Sequence, residues 1–265
     1  MAAPIKLDTK IVDKPWGRVG IDPRFRLDPN RQIGEIWFEP PPAHDLDVMC
    51  KYLFTTERLS IQVHPDDATA QARGYPRGKD ECWIILAADD DAELGIGTVR
   101  DATSDEVIAA AKDGSIVELM DWRKPAVGDF LYNEAGTIHA LGPGLTVMEI
   151  QQAVDLTYRL FDYGRPRELH LEESRAVVHA RPHSHRLDAH VDMTSMLLVA
   201  GPHFGVAWCV GEPPLLPQGM RDVQLLPIDV AVAGIGPGEC GLVDESAARR
   251  LRSSGTFVLA WSLPR

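Results

Sequence analysis

The sequence predicts a mainly β protein, either a sandwich or a barrel, from three observations. The 265 residues include 22 glycines and 20 prolines, which separate many short apolar stretches. Several of these stretches alternate apolar and polar side chains, the pattern of a strand with one buried face. Only two segments have the composition of helices. A chain of this length forms one large or two small domains with a sizeable buried core.

The predicted strands of the first part cover residues 34–38, 52–54, 59–64, 81–86, 129–132 and 146–152. A later β-rich set runs from about 197 to 208, then from 223 to 232 and from 256 to 261. The run 104–112 predicts a helix, because an N-cap residue and an acidic first turn are followed by helix formers that end at Gly114. A second helix is predicted at about 172–178. We place a domain boundary near 182–188, which gives a domain at 1–182 with a short helical insertion and a smaller C-terminal β-rich domain at 183–265.

Charge and composition narrow the function classes. The formal net charge is −12, so the phosphate backbone of a nucleic acid is not an expected partner, and an anionic substrate would need a local basic pocket. The four cysteines lie far apart without CxxC spacing, which is typical of free thiols in a reducing compartment. No uncharged apolar run approaches about 18 residues, and residues 1–17 lack a signal-peptide pattern. We therefore expect a cytoplasmic protein without a membrane partner.

The segment 59–66, LSIQVHPD, carries the first candidate ligands. Its apolar residues alternate with Ser60, Gln62 and His64, so a strand would present those three polar side chains on one face. The alternative is a half-buried strand whose polar face lies in water. Hydroxyl, amide and imidazole are good ligand types, and Pro65 ends the strand directly after the histidine, where a barrel mouth would lie.

The segment 78–86, GKDECWIIL, places Lys79, Glu81 and Trp83 on one face if it is a strand. A carboxylate buried in this apolar run is costly without a partner, and a metal cation would be such a partner. The alternative is that the charged residues stand at an exposed strand start.

Two later segments add an imidazole and a cation. His139 follows a glycine turn at Gly136. A lone histidine in such a run is more often a core residue than a ligand, and both interpretations stay open. The segment around Arg159 alternates, with Asp155, Thr157 and Arg159 on one face. An arginine in this apolar context needs an anion, which is either a carboxylate or a ligand.

Together these segments supply one amide oxygen, two imidazoles and one carboxylate. Nitrogen and oxygen ligands without thiolate suit catalytic zinc or another divalent ion with an open position. An iron-dependent oxygenase would use two histidines and one carboxylate without an amide, so Gln62 argues against it.

The chain resembles the type I mannose-6-phosphate isomerases, in their short bacterial form. Six matching pieces occur in the family's order and cover roughly the first two thirds of the chain: KPWG at 14–17, GEIW at 34–37, LSIQVHPDD at 59–67, GKDECWIIL at 78–86, GTIHALGPG at 136–144 and EIQQAVDLTYRLFDYGR at 149–165. The resemblance implies a cupin (jelly-roll) barrel that holds one Zn²⁺ per chain and takes a small-molecule sugar phosphate. The implied reaction interconverts mannose 6-phosphate and fructose 6-phosphate through an enediol.

Carried over position by position, the resemblance implies that the metal ligands are Gln62, His64, Glu81 and His139. It implies catalytic roles for Arg159, Lys79, Asp155 and Glu149, and substrate contacts for Ser60, Lys79, Arg159 and Trp16. The proton-transfer base stays open among Asp155, Glu149 and Lys79. The phosphate needs cations or hydroxyls at the pocket edge, for which Arg73 and Arg77 are further candidates beside Ser60 and Lys79.

The sequence departs from the family pattern at Val154, where a serine is usual, and at Glu134, where a proline is usual. The first change could alter pocket polarity and hence substrate preference. Alternative functions are an isomerase of a related sugar phosphate and a non-catalytic cupin that binds sugars or regulates. We expect the remaining histidines, at 44, 170, 179, 183, 185, 190 and 203, to lie in a solvated linker or on helix surfaces.

Overall fold

The structure is a computed structural model that describes residues 3–42 and 44–264. Its strands are, in chain order, β1 Ile5–Lys6, β2 Asp8–Val12, β3 Glu35–Glu39, β4 Val48–Phe54, β5 Ile61–Val63, β6 Glu81–Ala88, β7 Leu94–Thr98, β8 Met120–Arg123, β9 Asp129–Asn133, β10 His139–Leu141, β11 Leu145–Gln152, β12 Tyr158–Phe161, β13 Ala189–His190, β14 Met196–Ala200, β15 Phe204–Val210, β16 Arg221–Pro227, β17 Gly241–Val243 and β18 Thr256–Ser262. The helices are α1 Asp67–Ala72, α2 Ser104–Asp113, α3 Ile116–Leu119, α4 Leu171–Val177 and α5 Glu245–Ala248, and a 3-10 turn covers Pro23–Phe25.

The strands form three antiparallel sheets. One has seven strands in the order β13-β9-β6-β11-β4-β3-β2, one has five in the order β12-β5-β10-β7-β8, and one has six in the order β1-β17-β16-β18-β15-β14. The predicted mainly β fold is confirmed. The seven-stranded and five-stranded sheets pack face to face around a shared apolar cluster that includes Leu53, Trp83, Ile96 and Leu141, and they form the expected cupin barrel.

The other faces of these two sheets are also covered. The outer face of the seven-stranded sheet packs on the six-stranded sheet, where Cys50 and Ile150 meet Phe204 and Val258 in one buried cluster. The outer face of the five-stranded sheet packs under α2 and α4. The central strands of the barrel are therefore covered on their outer side, and polar groups share the inner side with the apolar cluster.

Strand β11 illustrates how the sequence produces this arrangement. Met148 and Ile150 point outward into the cluster shared with the six-stranded sheet, while Val147 and Glu149 point inward. Successive side chains of a strand face opposite sides, so the alternation brings one carboxylate into the barrel without exposing an apolar residue.

The predicted helix at 104–112 is confirmed as α2. The Thr103 hydroxyl accepts a hydrogen bond from the Glu106 N–H, and the Glu106 side chain accepts one from the Thr103 N–H, a reciprocal capping box. Gly114 closes the helix with φ of 87°, a conformation that favours glycine. The second predicted helix is α4, which begins one residue earlier than expected.

The six-stranded sheet, which contains most of the C-terminal strands, packs closely on the barrel. The N-terminal strand β1 pairs with β17 in the six-stranded sheet, and Gln224 on β16 donates to the carbonyl of Val48 on β4 at 2.9 Å. The division at 182 and 183 stays a prediction. None of the helices in residues 3–42 and 44–264 is long and apolar enough to cross a membrane.

Candidate active site

A cavity of about 260 Å³ lies between the two sheets of the barrel. It is lined by Lys14, Trp16, Glu35, Trp37, Lys51, Leu53, Leu59, Ser60, Gln62, Lys79, Trp83, His139, Leu141, Glu149, Asp155, Thr157, Arg159 and Arg167. Most of these side chains are polar or charged. A polar interior inside an apolar shell is the expected character of a site that recognises a small polar molecule.

Three potential metal ligands converge at the wall of this cavity. His64 Nε2 lies 3.4 Å from Glu81 Oε2, and His139 Nε2 lies 3.3 Å from Glu81 Oε1. His64 follows β5, Glu81 begins β6 and His139 begins β10, so the cluster joins both sheets of the barrel. All three side chains are almost fully buried.

The histidine tautomers leave a lone pair directed at Glu81. His64 Nδ1 lies 3.0 Å from the carbonyl of Leu156, and His139 Nδ1 lies 2.9 Å from the carbonyl of Thr137, so each Nδ1 carries the proton. Burial and the nearby Lys79 ammonium lower the pKa of His64 to about 3, and burial lowers the pKa of His139. The two imidazoles are therefore neutral, and their unprotonated Nε2 atoms face the Glu81 carboxylate.

This donor set fits a divalent metal ion. Lone pairs of imidazole and carboxylate repel one another at 3.3–3.4 Å unless a cation lies close to them. The Lys79 ammonium lies close to His64 and Glu81, and a metal ion would serve all three donors. Histidine ligands of metals usually donate their other ring N–H to a carbonyl or a carboxylate, as both histidines do here. Two imidazoles with one carboxylate are a common set for catalytic zinc.

Gln62 lies beside the cluster, with its Nε2 3.2 Å from His139 Nε2 and its Oε1 accepting from the Ser60 hydroxyl at 3.1 Å. The amide nitrogen therefore points at the other donors. A half-turn about the terminal side-chain bond would direct Oε1 to the same point, as an amide ligand requires.

Lys79 supplies a positive charge to the cluster. Its Nζ lies 2.9 Å from Glu81 Oε2 and 3.2 Å from His64 Nε2. Burial alone would raise the pKa of Glu81, but the charge of Lys79 together with His64 and His139 outweighs burial and holds that pKa well below its usual range. Glu81 is therefore ionised, although its Oε2 accepts no well-aligned hydrogen bond from the ammonium.

A second row of charges crosses the seven-stranded sheet. Glu149 Oε1 lies 2.7 Å from Lys51 Nζ, and Glu149 Oε2 accepts from Trp83 Nε1 at 3.0 Å. Lys51 is buried, which by itself would lower its pKa, but Glu149 and Glu35 raise the pKa above its ordinary value. Glu149 Oε2 is therefore held by a hydrogen bond, whereas Oε1 forms an ion pair with Lys51 without a well-aligned hydrogen bond.

A third group lies around β12, at the edge of the five-stranded sheet. Arg159 stands opposite Gln62 in the strand register, and Asp155 and Thr157 precede it on the cavity face. Leu156 and Tyr158 point into the core under the helices, as the alternating pattern predicts. Asp155 is exposed to the cavity, and within the described part of the chain it has no hydrogen bond or ion pair.

Arg159 differs from the other cavity cations. Lys14, Lys51, Lys79 and Arg167 each lie within 3.2 Å of a carboxylate oxygen, on Glu35, Glu149, Glu81 and Asp162 respectively. Arg159 donates from Nη1 to the carbonyl of Glu168 at 2.7 Å, and its buried Nε has no partner. Burial and the charge of Arg167 lower the pKa of Arg159. Among the described residues, it is the cavity-lining arginine or lysine with no carboxylate within ion-pair distance.

The structure brings together the residues that the sequence proposed for the site. Trp16, Ser60, Gln62, Lys79, His139, Glu149, Asp155 and Arg159 line the cavity, and His64 and Glu81 lie in its wall. Arg73 and Arg77 do not line it, because Arg73 donates to the Tyr158 hydroxyl and Arg77 pairs with Asp47. Val154 packs under the helices, so its change from the family pattern does not reach the cavity lining.

Sequence reasoning missed several lining residues, including Lys14, Glu35, Lys51 and Arg167. Lys51 left a signal, since it is a lysine inside the apolar strand VMCKYLF. Arg167 lies in a loop, where no sequence pattern indicates that its side chain faces the cavity. The expectation of a solvated surface is wrong for His183, whose side chain is 5% exposed and lies 2.8 Å from Asp188 Oδ2.

A scan against protein-family models finds no matching model. Among curated proteins, a mannose-6-phosphate isomerase of Streptococcus mutans is 30% identical over 252 residues, which is 78% of each chain. Mannose-6-phosphate isomerase ManA of Bacillus subtilis is 37% identical over 158 residues, 57% of this chain and 50% of its own length.

Solved structures support the same fold. The crystal structure of the mannose 6-phosphate isomerase from Bacillus subtilis matches with a TM-score of 0.78 at 24% identity, over 98% of this chain and 99% of that chain. A zinc-bound mannose 6-phosphate isomerase matches with a TM-score of 0.68 at 13% identity, over 99% of this chain and 100% of that chain.

Proposed function

The chain belongs to the mannose-6-phosphate isomerase family, and from this premise we propose that it interconverts mannose 6-phosphate and fructose 6-phosphate with one zinc ion held by Gln62, His64, Glu81 and His139. The observation that carries the proposal is the cavity itself. Neutral imidazoles and an ionised carboxylate converge in its wall, and the unneutralised Arg159 faces the same space.

Isomerisation moves a proton between C1 and C2 of the open-chain sugar through an enediol. A zinc ion bound at these ligands would act as a Lewis acid for the negative charge that develops on the sugar oxygens. Arg159 adds a fixed positive charge on the other side of Gln62. Because its Nε is already desolvated and unpartnered, little reorganisation is needed when the charge develops.

The proton-transfer base has to be a titratable side chain free to approach the C–H bond. Glu149 is held by Lys51 and Trp83, and Lys79 is held by Glu81. Asp155 faces the cavity without a partner in the described chain. We therefore propose that the Asp155 carboxylate takes the proton from C2 and returns it to C1, while Glu149 accepts a hydrogen bond from a sugar hydroxyl.

The phosphate group needs cationic or hydroxyl donors that line the cavity. Ser60 and Trp16 line the cavity, and Arg167 adds a guanidinium that Asp162 fixes through two hydrogen bonds of 2.6 Å. We propose that Arg167 and Ser60 contact the phosphate. Arg73 and Arg77 do not line the cavity, so we do not assign them this role. Arginine suits this role because its planar donors match phosphate geometry.

The proposal is tested by incubating the purified chain with mannose 6-phosphate, or with unphosphorylated mannose as the control substrate, and measuring the ketose product directly as fructose 6-phosphate or fructose. Conversion of the phosphate ester and at least a tenfold lower kcat/KM for mannose are expected. A protein that binds either sugar without converting it would instead be the non-catalytic cupin.

A further inference from the structure

We propose that Asp80 is a positioning residue whose buried carboxylate holds the strand start that carries Lys79 and Glu81 against the turn that leads to His139. The inference rests on the proposed metal centre. Asp80 does not line the cavity itself, because it lies between two cavity-facing residues and its side chain points to the opposite face.

The Asp80 side chain bridges β6 to the end of β9. It is 5% exposed, its Oδ2 accepts from the Tyr132 hydroxyl at 2.6 Å, and its Oδ1 accepts from the Ala135 N–H at 2.9 Å. Between those two residues stands Asn133, whose Nδ2 donates to Glu81 Oε1 at 2.7 Å. Asp80 and Glu81 thus hold the same short stretch from opposite faces of the sheet.

That stretch continues to a third ligand. Gly136, directly after Ala135, donates its N–H to the carbonyl of His64 at 2.8 Å, and His139 follows three residues later. The Asp80 carboxylate is therefore the side-chain link between the segment that holds Glu81 and the turn that touches His64 and leads to His139.

The backbone of Asp80 is fixed from a third direction. Its N–H donates to Gln152 Oε1 at 2.8 Å, and its carbonyl accepts from the Gln152 N–H at 3.0 Å. Gln152 Nε2 donates to Asp67 Oδ1 at 2.9 Å, and the same oxygen accepts from the Gly78 N–H at 2.7 Å. A side chain at Gly78 would lie 2.3 Å from the Asp66 carbonyl carbon, so this close approach requires glycine.

These contacts leave little freedom for Lys79 and Glu81, and small displacements of ligands are costly at a metal site. Partners outside the ligand shell typically change metal affinity or activity by about 10- to 100-fold when they are replaced. A carboxylate is suited to this place because both of its oxygens accept, whereas an amide would turn an NH₂ group toward one of the two donors.

The test is Asp80→Asn, compared with wild type by zinc competition against a chromophoric chelator and by thermal melting. Zinc affinity should fall by about 10- to 100-fold, and kcat of the zinc-saturated variant should fall more than KM changes. Asp188→Asn is the matched control, because Asp188 Oδ1 also accepts a hydrogen bond from Tyr132, from its N–H at 3.0 Å, but within the described chain Asp188 bonds to neither Glu81 nor residues 133–136. It should lower the melting temperature and leave zinc affinity unchanged.

If Asp80→Asn does not fold, Tyr132→Phe removes one donor to the same carboxylate and should weaken zinc binding by a smaller factor. Equal zinc affinity in wild type and in the folded variants overturns the positioning role, as does an equal loss in the Asp188 control. A wild-type chain that binds no zinc would instead overturn the proposed metal centre.

Discussion

Replacing Arg159 with alanine separates a catalytic charge from a structural ion pair. In the structure the guanidinium lines the cavity, donates one hydrogen bond to the Glu168 carbonyl and has no carboxylate within ion-pair distance in the described chain. The substitution therefore removes a positive charge from the reaction space without leaving a buried carboxylate unpaired.

The expected stability change is small. One hydrogen bond to a backbone carbonyl contributes about 1 kcal/mol, and relief of the repulsion from Arg167 offsets part of that loss. For a chain of this size, 1 kcal/mol corresponds to a melting shift of about 2–4 °C. Turnover should fall by about 10²–10³, the usual cost of removing one preorganised charge donor.

The assay measures three quantities on one preparation: kcat for mannose 6-phosphate, zinc per chain and the melting temperature. Arg159→Lys should restore little activity, because a lysine lacks the planar two-pronged donor geometry. Arg73→Ala is the matched control. Arg73 also donates one hydrogen bond, to the Tyr158 hydroxyl at 3.0 Å, but lies outside the cavity, so it should lose similar stability and keep full turnover.

A structural role predicts the opposite result. Orphaning a buried carboxylate would cost about 3–5 kcal/mol and lower the melting temperature far more than the control does. An Arg159→Ala variant that melts far below wild type yet keeps full specific activity while folded would refute the catalytic assignment.

Three further predictions follow from the same cavity. Glu81→Gln should abolish stoichiometric zinc binding in metal analysis after dialysis, because the amide removes the ligand charge; a variant that retains one zinc per chain would contradict the ligand assignment. Asp155→Asn should lower kcat by about 10²–10⁴ with unchanged zinc content. A variant that keeps wild-type turnover would show that another residue is the base. Burial would raise the pKa of Glu35, but the charges of Lys51 and Lys14 outweigh burial and lower that pKa in the folded protein. The ionised Glu35 carboxylate therefore stabilises the fold fully above its unfolded pKa of about 4.3. This stabilisation is lost as the pH falls from there through the lower pKa of the folded protein. Glu35→Gln should flatten the fall in melting temperature across that window, and an unchanged slope would contradict the pairing.

Strand alternation predicted a mainly β fold and several cavity-facing side chains, whereas the cupin barrel and the site places of Trp16 and Glu149 came from the family resemblance. Gln62 and His64 face one side because apolar residues occupy the other, and the same rule placed Arg159 correctly. The predicted strand at 59–64 is shorter in the structure, where β5 covers only Ile61–Val63, because the neighbouring strands β10 and β12 pair with little more than those residues.

Other features had no local signal. The glycines of strand β7, LGIGT, favour a turn, yet the segment is a strand in which Gly97 is required, because its φ is 71° and a side chain there would lie 2.6 Å from the backbone nitrogen of His183. The pairing of Lys51 with Glu149 depends on the register of β4 and β11, which are about a hundred residues apart in the chain, and no spacing rule reveals it.

The most direct test of the account is a zinc titration of isomerase activity. The purified chain is stripped with a chelator, and zinc is then added in steps while conversion of mannose 6-phosphate is followed. The stripped chain should be inactive, and its activity should rise linearly with zinc and level off at one zinc per chain. The His139→Ala variant should not recover activity at the same zinc concentration. Full activity in the stripped wild-type chain, or none at full zinc occupancy, would contradict the claim that this cavity is a metal-dependent isomerase site.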